Sequence, residues 1–529
     1  MLNRHRSSTI LSGFALLLAT IQLNAAPIKL DAGLIDGEVL PDSGVHVFRG
    51  IPFAAPPVGD LRWTPPQPVK KWDGIRDATQ FSGACPQGDG LAQMMGEKLP
   101  ELTEDCLYLN VWTKAPDPES KRPVMVWIHG GGLTLGWGHQ GGYDGTRLAE
   151  RDVVLVSVNY RLGPLGYLAH PGLSKESELG VSGNYGFLDQ HEALKWVQRN
   201  IDQFGGDPDN VTIFGESAGG TSVNALLASP LSKGLFHRAI AQSAWITETN
   251  YAYLKKARVA VKSAEELGLQ WAGRVLGEGA KVDSLQALRA VSVADILEKT
   301  GDLYPVVVTV DGWFMPDLSE NIYTRGEQQN IPVMAGTNTD EGTMFANFLP
   351  YKTVADYEAG TRASYGVHAE KILDLYPATD DSQLFAIKNQ FITDSWFLRG
   401  TRNMLEGMDK VSSNAYQYHF SRRSQAMPFL GAHHGMEIGY VFNNFGPAPA
   451  DPIDKALGEA MIQYWVQFAK TGDPNVEGLI SWPTFKPDSD QHLEFGDKIV
   501  TGSNLRKSAI NTLNEIQKAQ LAASEGEDD

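Results

Sequence analysis

Cysteine is almost absent from this chain: its 529 residues hold two, Cys85 and Cys106. That excludes a scaffold built on disulfides, and no histidines or cysteines cluster at metal-ligand spacing, so no metal site is expected. Positive charge is also in short supply, with 45 Lys and Arg against 63 Asp and Glu and a formal net charge of -18. Such a surface repels nucleic acid and anionic membranes, so neither is expected as a partner. The plainest reading of the acidity is solubility, with a bias toward neutral or cationic small molecules over anionic ones. Internal repeats and a phosphate-binding glycine loop are missing too, and no cofactor is expected.

Long apolar runs are confined to one place. Arg4, His5 and Arg6 precede an apolar stretch over residues 10–23, which ends in Asn24-Ala25-Ala26. The run is interrupted by Ser12, Thr20 and Gln22 and falls short of the about 20 apolar residues a membrane anchor needs. Residues 1–26 therefore read as a secretory signal peptide cleaved after Ala25 or Ala26, which places the protein in the periplasm or outside the cell with no stable membrane insertion. Its loss leaves 43 basic residues against 63 acidic ones. In an oxidising compartment two cysteines 21 apart are expected to pair, the alternative being two buried thiols. Closing such a loop is worth about 3 kcal/mol.

What the sequence does have is an α/β order. A 42% hydrophobic and 20% charged composition supplies ample core for one large domain over residues 27–520, followed by an acidic tail at 521–529 read as disordered. Residues 28–80, with Gly-rich turns and alternating apolar positions, suggest a small N-terminal antiparallel sheet. Buried strands follow at 107–112, 123–128, 153–160, 211–214, 238–243, 331–336 and 415–420, with helices opening near 183, after 217 and at 456–470. The polar, helical stretch at 255–299 reads as an insertion packed over the sheet.

The stretch Asn210-Val-Thr-Ile-Phe-Gly-Glu-Ser-Ala-Gly-Gly220 organises the rest. A short strand runs into Gly-x-Ser-x-Gly and then a helix of small residues, which would set Ser217 on a strained turn above the sheet with the N–H of Ala218 facing any negative charge that develops there. The pentapeptide is weak evidence alone. After the strand at 123–128 comes His129-Gly130-Gly131-Gly132, where backbone amides aimed at a ligand explain three glycines in a row. Asp340-Glu341-Gly342 follows the strand at 331–336 and so lies on the edge of the sheet where α/β sites form.

These stretches, with Glu104-Asp105-Cys106-Leu107-Tyr108-Leu109-Asn110-Val111, Gly183 to Gln190, Phe204-Gly205-Gly206-Asp207-Pro208, His434-Gly435 and Tyr464 to Asn475, resemble the type-B carboxylesterase family, the esterase and cholinesterase branch of the α/β-hydrolases. The matches span residues 30–490 in family order. The resemblance implies an α/β-hydrolase fold, a central and mostly parallel sheet with helical insertions over the active site. It also implies a secreted serine carboxylesterase whose partner is a small-molecule ester. Ser217 falls on the nucleophile, Glu341 on the acid and His434 on the base, in the chain order α/β-hydrolases use. Gly131, Gly132 and Ala218 fall on the oxyanion-hole donors.

Neighbouring residues compete for roles. His433 adjoins His434, but the family's histidine directly precedes glycine. Asp340 reads as a solvated or structural carboxylate. Glu216, Ser243 and Trp245 are candidates for supporting or pocket positions, each with a bland structural reading beside it, and Trp137 or His139 for the entrance. The loop at 86–105 holds no aromatic residue, only Leu91, Met94 and Met95 as apolar bulk, so the cation–π partner that cholinesterases present there is missing. Esters of hydrophobic or xenobiotic acids and alcohols are the expected substrates. A lipase-like or amide-cleaving hydrolase is the alternative, and a non-catalytic adhesion protein of the same fold a distant one. An ordinary histidine base would lose activity below about pH 6 to 6.5.

Overall fold

A computed structural model of the protein describes residues 23–525, apart from 248, 259–260, 302–305, 424 and 447–449. The signal peptide read at residues 1–26 thus falls almost wholly outside the described residues. One twelve-stranded sheet runs through the molecule. In chain order its strands are β1 (Leu23–Asn24), β2 (Glu38–Val39), β3 (His46–Pro52), β4 (Tyr108–Thr113), β5 (Arg122–Ile128), β6 (Val154–Val158), β7 (Gly206–Glu216), β8 (Arg238–Gln242), β9 (Val333–Asn338), β10 (Ala415–Phe420), β11 (Gln491–Phe495) and β12 (Ile499–Ser503). In space they lie in the order β1-β2-β3-β4-β6-β5-β7-β8-β9-β10-β11-β12. From β6 to β11 every neighbouring pair is parallel, and the pairs at both ends are antiparallel.

Burial on both faces explains the apolar composition of the central strands. Val124, Val126 and Ile128 of β5 join a core with Val211 and Ile213 of β7 on one face. Met125 and Trp127 of β5 join Phe214 and the closing helix on the other. A strand that alternates between two cores has no solvent face on which a polar residue would be favoured. Two helices frame the site, α1 (Tyr185–Asn200) and α2 (Ala218–Ala228), and α3 (Pro452–Thr471) closes the second core. Asp451 caps α3 reciprocally with Asp454, and Pro452 occupies its first turn, where a missing N–H costs nothing.

Three sequence expectations shift. The strand at 45–54 belongs to the large sheet as β3, because β4 offers it a long antiparallel edge. The separate small sheet is three-stranded, made of Ile28–Lys29, Leu34–Asp36 and Ile75–Asp77, with one antiparallel and one parallel pairing. The last helix, α4 (Lys507–Glu525), continues into the stretch read as tail, carried by the docking of Ile510, Leu513 and Ile516 against a cluster with Tyr357 and Tyr376. Cys85 and Cys106 are disulfide-bonded, with Cα atoms 5.1 Å apart.

Candidate active site

β7 ends at Glu216 and α2 begins at Ala218, leaving Ser217 between them at φ 57° and ψ -120°. That conformation strains any residue with a Cβ, and it persists because the surroundings hold it. Ser217 donates its N–H to Gln242 O at 2.9 Å. A Cβ on Gly219 would sit 2.0 Å from Ile128 O, and one on Gly215 would sit 2.6 Å from the same oxygen. Only glycine at both positions lets helix and strand close on the turn.

The loop after β5 reaches the same point. A Cβ on Gly130 would lie 3.1 Å from Ser217 Cβ and 2.8 Å from Glu216 Oε2, so the loop meets the serine turn at Gly130, with Gly131 and Gly132 next in the chain. Gly131 and Gly132 have φ of 103° and 63°, and Ala218 is fully buried at the start of α2.

Glu341 opens a short turn three residues past β9 and is fully buried. Its Oε1 accepts the N–H of Asn338 at 2.7 Å, and its Oε2 lies 2.5 Å from Nδ1 of His434. Since a carboxylate accepts, Nδ1 carries the proton and Nε2 is the free edge of the ring. Among the described residues Nε2 meets no hydrogen-bond donor or acceptor in bonding geometry, and it stands 3.1 Å from Glu216 Oε1. Glu216 thus lies between the serine turn and the histidine. A neutral imidazole held this way can take a proton from a hydroxyl and return it to a leaving group.

His433 is turned elsewhere: its Nδ1 donates to the backbone oxygen of His434 at 2.9 Å, and burial lowers its pKa. Asp340 is a clamp. It exchanges two hydrogen bonds with Ala432, its N–H to Ala432 O at 3.0 Å and its Oδ2 from Ala432 N at 2.9 Å, while Oδ1 accepts from Asn389 at 3.0 Å. The acid turn and the histidine loop are therefore tied together one residue before Glu341 and two before His434.

A match to the family model described as "Carboxylesterase family" covers residues 24–513. The chain belongs to the carboxylesterase family. It is 37% identical to fumonisin B1 esterase of Sphingopyxis macrogoltabida, over 90% of this chain and 87% of that one. Para-nitrobenzyl esterase of Bacillus subtilis is 38% identical over 87% of this chain and 92% of its own. A solved structure titled PNB esterase superposes with a TM-score of 0.77 at 33% identity, covering 92% of this chain and 99% of that one. This carboxylesterase accordingly has the α/β-hydrolase fold and is a carboxylic-ester hydrolase.

The sequence reading of the carboxylesterase missed Glu437, Asn338 and Gln242. Glu437 is fully buried, its carboxylate accepting from Asn338 Nδ2 at 2.6 Å and Gln242 Nε2 at 3.2 Å. Asn338 also donates to His433 O at 2.8 Å, so one amide orders both the histidine loop and the third carboxylate. Glu437 lies three residues after His434 and Asn338 three before Glu341, a spacing that by itself singles out neither, and Gln242 reads as one more residue of a buried strand.

Charge dominates the site. Burial alone would lower the pKa of His434, but Glu216, Glu341 and Glu437 outweigh it and push it up to about 9. Burial, then Glu437 and Glu341, raise Glu216 to about 8. The cluster holds its protons jointly, and the direction for the imidazole is upward.

Apolar surface meets the ring of His434 in Phe397 and Phe345, at 4.7 and 5.1 Å between centroids. Phe345 continues to Trp396 at 6.0 Å, and Trp396 to Trp245 at 6.5 Å. Ser243 is buried at φ 46°, its N–H on Gly336 O, and its side chain lies toward Tyr418. Trp137 lies in a small core with Ala84, Ala92, Leu99 and Leu102, and His139 stacks on Phe81, so the structure gives both a packing role. Met94 and Met95 are exposed on the helix Gly90–Met95.

Proposed function

We propose that this carboxylesterase works through Ser217 as nucleophile, His434 as general base and then acid, and Glu341 as the carboxylate that orients the imidazole. The observation that carries the reading is the 2.5 Å contact of Glu341 Oε2 with His434 Nδ1, beside a serine held at φ 57°. Ser217 Oγ attacks the ester carbonyl while His434 Nε2 takes its proton. The tetrahedral oxyanion is held by the N–H groups of Gly131, Gly132 and Ala218. Collapse expels the alcohol with the proton from His434, and water activated by the same imidazole releases the acid from the acyl-enzyme. Glu216 and Glu437 stabilise the imidazolium formed at each step, since both lie close enough to raise its pKa.

The substrate is a neutral, hydrophobic ester. The aromatic chain from Phe345 and Phe397 through Trp396 to Trp245 supplies apolar, flat contact surface next to the histidine. The buried acidic cluster around His434, which already holds protons against its own charge, gains nothing from an anionic acyl group and disfavours it. The names of the relatives, which include cocaine esterase of Oryctolagus cuniculus at 35% identity, span chemically unlike esters, in keeping with a xenobiotic-tolerant site.

One catalytic domain at 27–520, exported by a signal peptide at 1–26, completes the reading. Among the described residues no helix is long and apolar enough to cross a membrane. Cleavage after Ala25 or Ala26 would remove β1, leaving β2 as the edge of the sheet. Ser217→Ala is the test: ester turnover should fall by several orders of magnitude with folding intact. A variant retaining more than about a tenth of the wild-type rate would sink the assignment.

A further inference from the structure

Gln87 is only 3% exposed, although it is an amide side chain in a loop two residues past Cys85. It is spent on a backbone. Its Oε1 accepts the N–H of Gly136 at 2.7 Å, and its Nε2 donates to Gly136 O at 2.8 Å and to Cys85 O at 3.1 Å. Both donors and the acceptor of the amide are used, and both backbone groups of Gly136 are satisfied by one side chain.

Gly136 lies on the glycine loop itself. Its φ is 108°, and a Cβ there would stand 2.4 Å from His129 Nδ1 and 2.7 Å from Gly130 O. The residues between form a tight turn, with the N–H groups of Thr134 and Leu135 both on Gly131 O at 3.1 and 2.9 Å. At its start the loop is held by His129, whose Nδ1 donates to Gly130 O at 2.8 Å and whose backbone oxygen accepts from Tyr160 at 2.7 Å. At its end the loop is held at Gly136 by Gln87 and at Gly138 by Asn159 Oδ1, 2.8 Å from its N–H.

We propose that Gln87 is a positioning residue for the oxyanion hole, fixing Gly136 and, through the turn at 131–135, the N–H groups of Gly131 and Gly132. The disulfide loop is thereby part of the apparatus that stabilises the transition state, and not merely a rim around the pocket. This rests on the active-site reading above. A donor displaced by a fraction of an ångström no longer meets the oxyanion well, while a neutral ground-state ester needs it much less.

The test uses Gln87→Met, which keeps the bulk and removes all three hydrogen bonds, and Gln87→Glu, which keeps the size and the acceptor for the N–H of Gly136 but loses both donated bonds. An organophosphonate counts competent sites, so kcat is expressed per labelled serine and a small folded fraction suffices. In Gln87→Met, kcat per labelled site should drop about tenfold or more, with KM within about twofold. Inhibition by an alkyl trifluoromethyl ketone, which forms a tetrahedral adduct on the serine, should weaken by the same factor. Gln87→Glu should show the same pattern at least as strongly, because its second oxygen would face Gly136 O and Cys85 O, to which the amide now donates. A folded variant that labels correspondingly more slowly reports the same loss at the phosphonylation step. The proposal is overturned if labelled sites of both variants turn over within about twofold of wild type, or if the change appears in KM alone. Wild-type label on a residue other than Ser217 would instead sink the active-site reading.

Discussion

Replacing Cys85 and Cys106 by serine together removes a bridge between residues 21 apart. In the chain-entropy argument a loop of that length is worth about 3 kcal/mol. The loop has other attachments that survive the change. Ala84 pairs with the 101–103 segment through two backbone hydrogen bonds of 2.9 and 3.0 Å, and Glu97 accepts the N–H of Gly141 at 2.9 Å. Trp137 is buried between Ala84 and Ala92 with Leu99 and Leu102 against it. These contacts keep the loop folded but less tightly anchored, and the loss should be about 2 to 4 kcal/mol, mainly from the unfolded chain's greater freedom. From sequence alone the expected kinetic effect is a higher KM for bulky esters with the catalytic groups untouched. The Gln87–Gly136 pair changes that expectation: loosening the loop also loosens the glycine turn, so kcat should fall for short and bulky esters alike. Urea unfolding followed by tryptophan fluorescence, with kinetics on p-nitrophenyl esters of increasing acyl length, measures both. An unchanged unfolding free energy, or a kcat equal to wild type for every ester, would refute the reasoning, and so would two titratable thiols in the unreduced, unfolded wild-type protein.

Other consequences can be checked separately. His434 must be neutral to act as base, and carboxylates raise its pKa from 6.5 toward about 9, so kcat/KM should decline with falling pH at a higher pH than for a free histidine. Glu216→Gln removes one of those carboxylates and should move that limb down; a wild-type limb at or below 6.5 would contradict the charge cluster. Asp340→Ala breaks the clamp between acid turn and histidine loop and should cost about tenfold in kcat with KM nearly constant, whereas equal wild-type and variant kcat would make Asp340 a bystander. In a panel of matched esters, a free carboxylate on the acyl group should lower kcat/KM, and equal rates for neutral and anionic members would rule out electrostatic exclusion.

Much of this site was legible because its residues depend on local geometry. The turn at Ser217 needs glycine on both sides, and a sequence shows that directly; Ile128 O beneath Gly215 and Gly219 is the physical reason. Strands buried on both faces also announce themselves, as β5 does by its unbroken apolar run over 123–128. Glu437, Asn338 and Gln242 were not legible, since an amide joining two loops almost a hundred residues apart leaves no local trace. Gln87 is similar: an amide in a polar loop reads as surface until the fold closes Gly136 over it. Trp137 and His139 were candidates for the entrance because an aromatic side chain suits a pocket wall and a core equally, and only packing decides between them.

The central claim is that Ser217 carries the acyl group. Labelling the protein with an organophosphonate, digesting it and mapping the adduct by mass spectrometry tests this most directly. The account predicts one modified residue, Ser217, with labelling and turnover lost in proportion and no labelling of Ser217→Ala. An adduct on another serine, or an active protein that takes up no label, would contradict it.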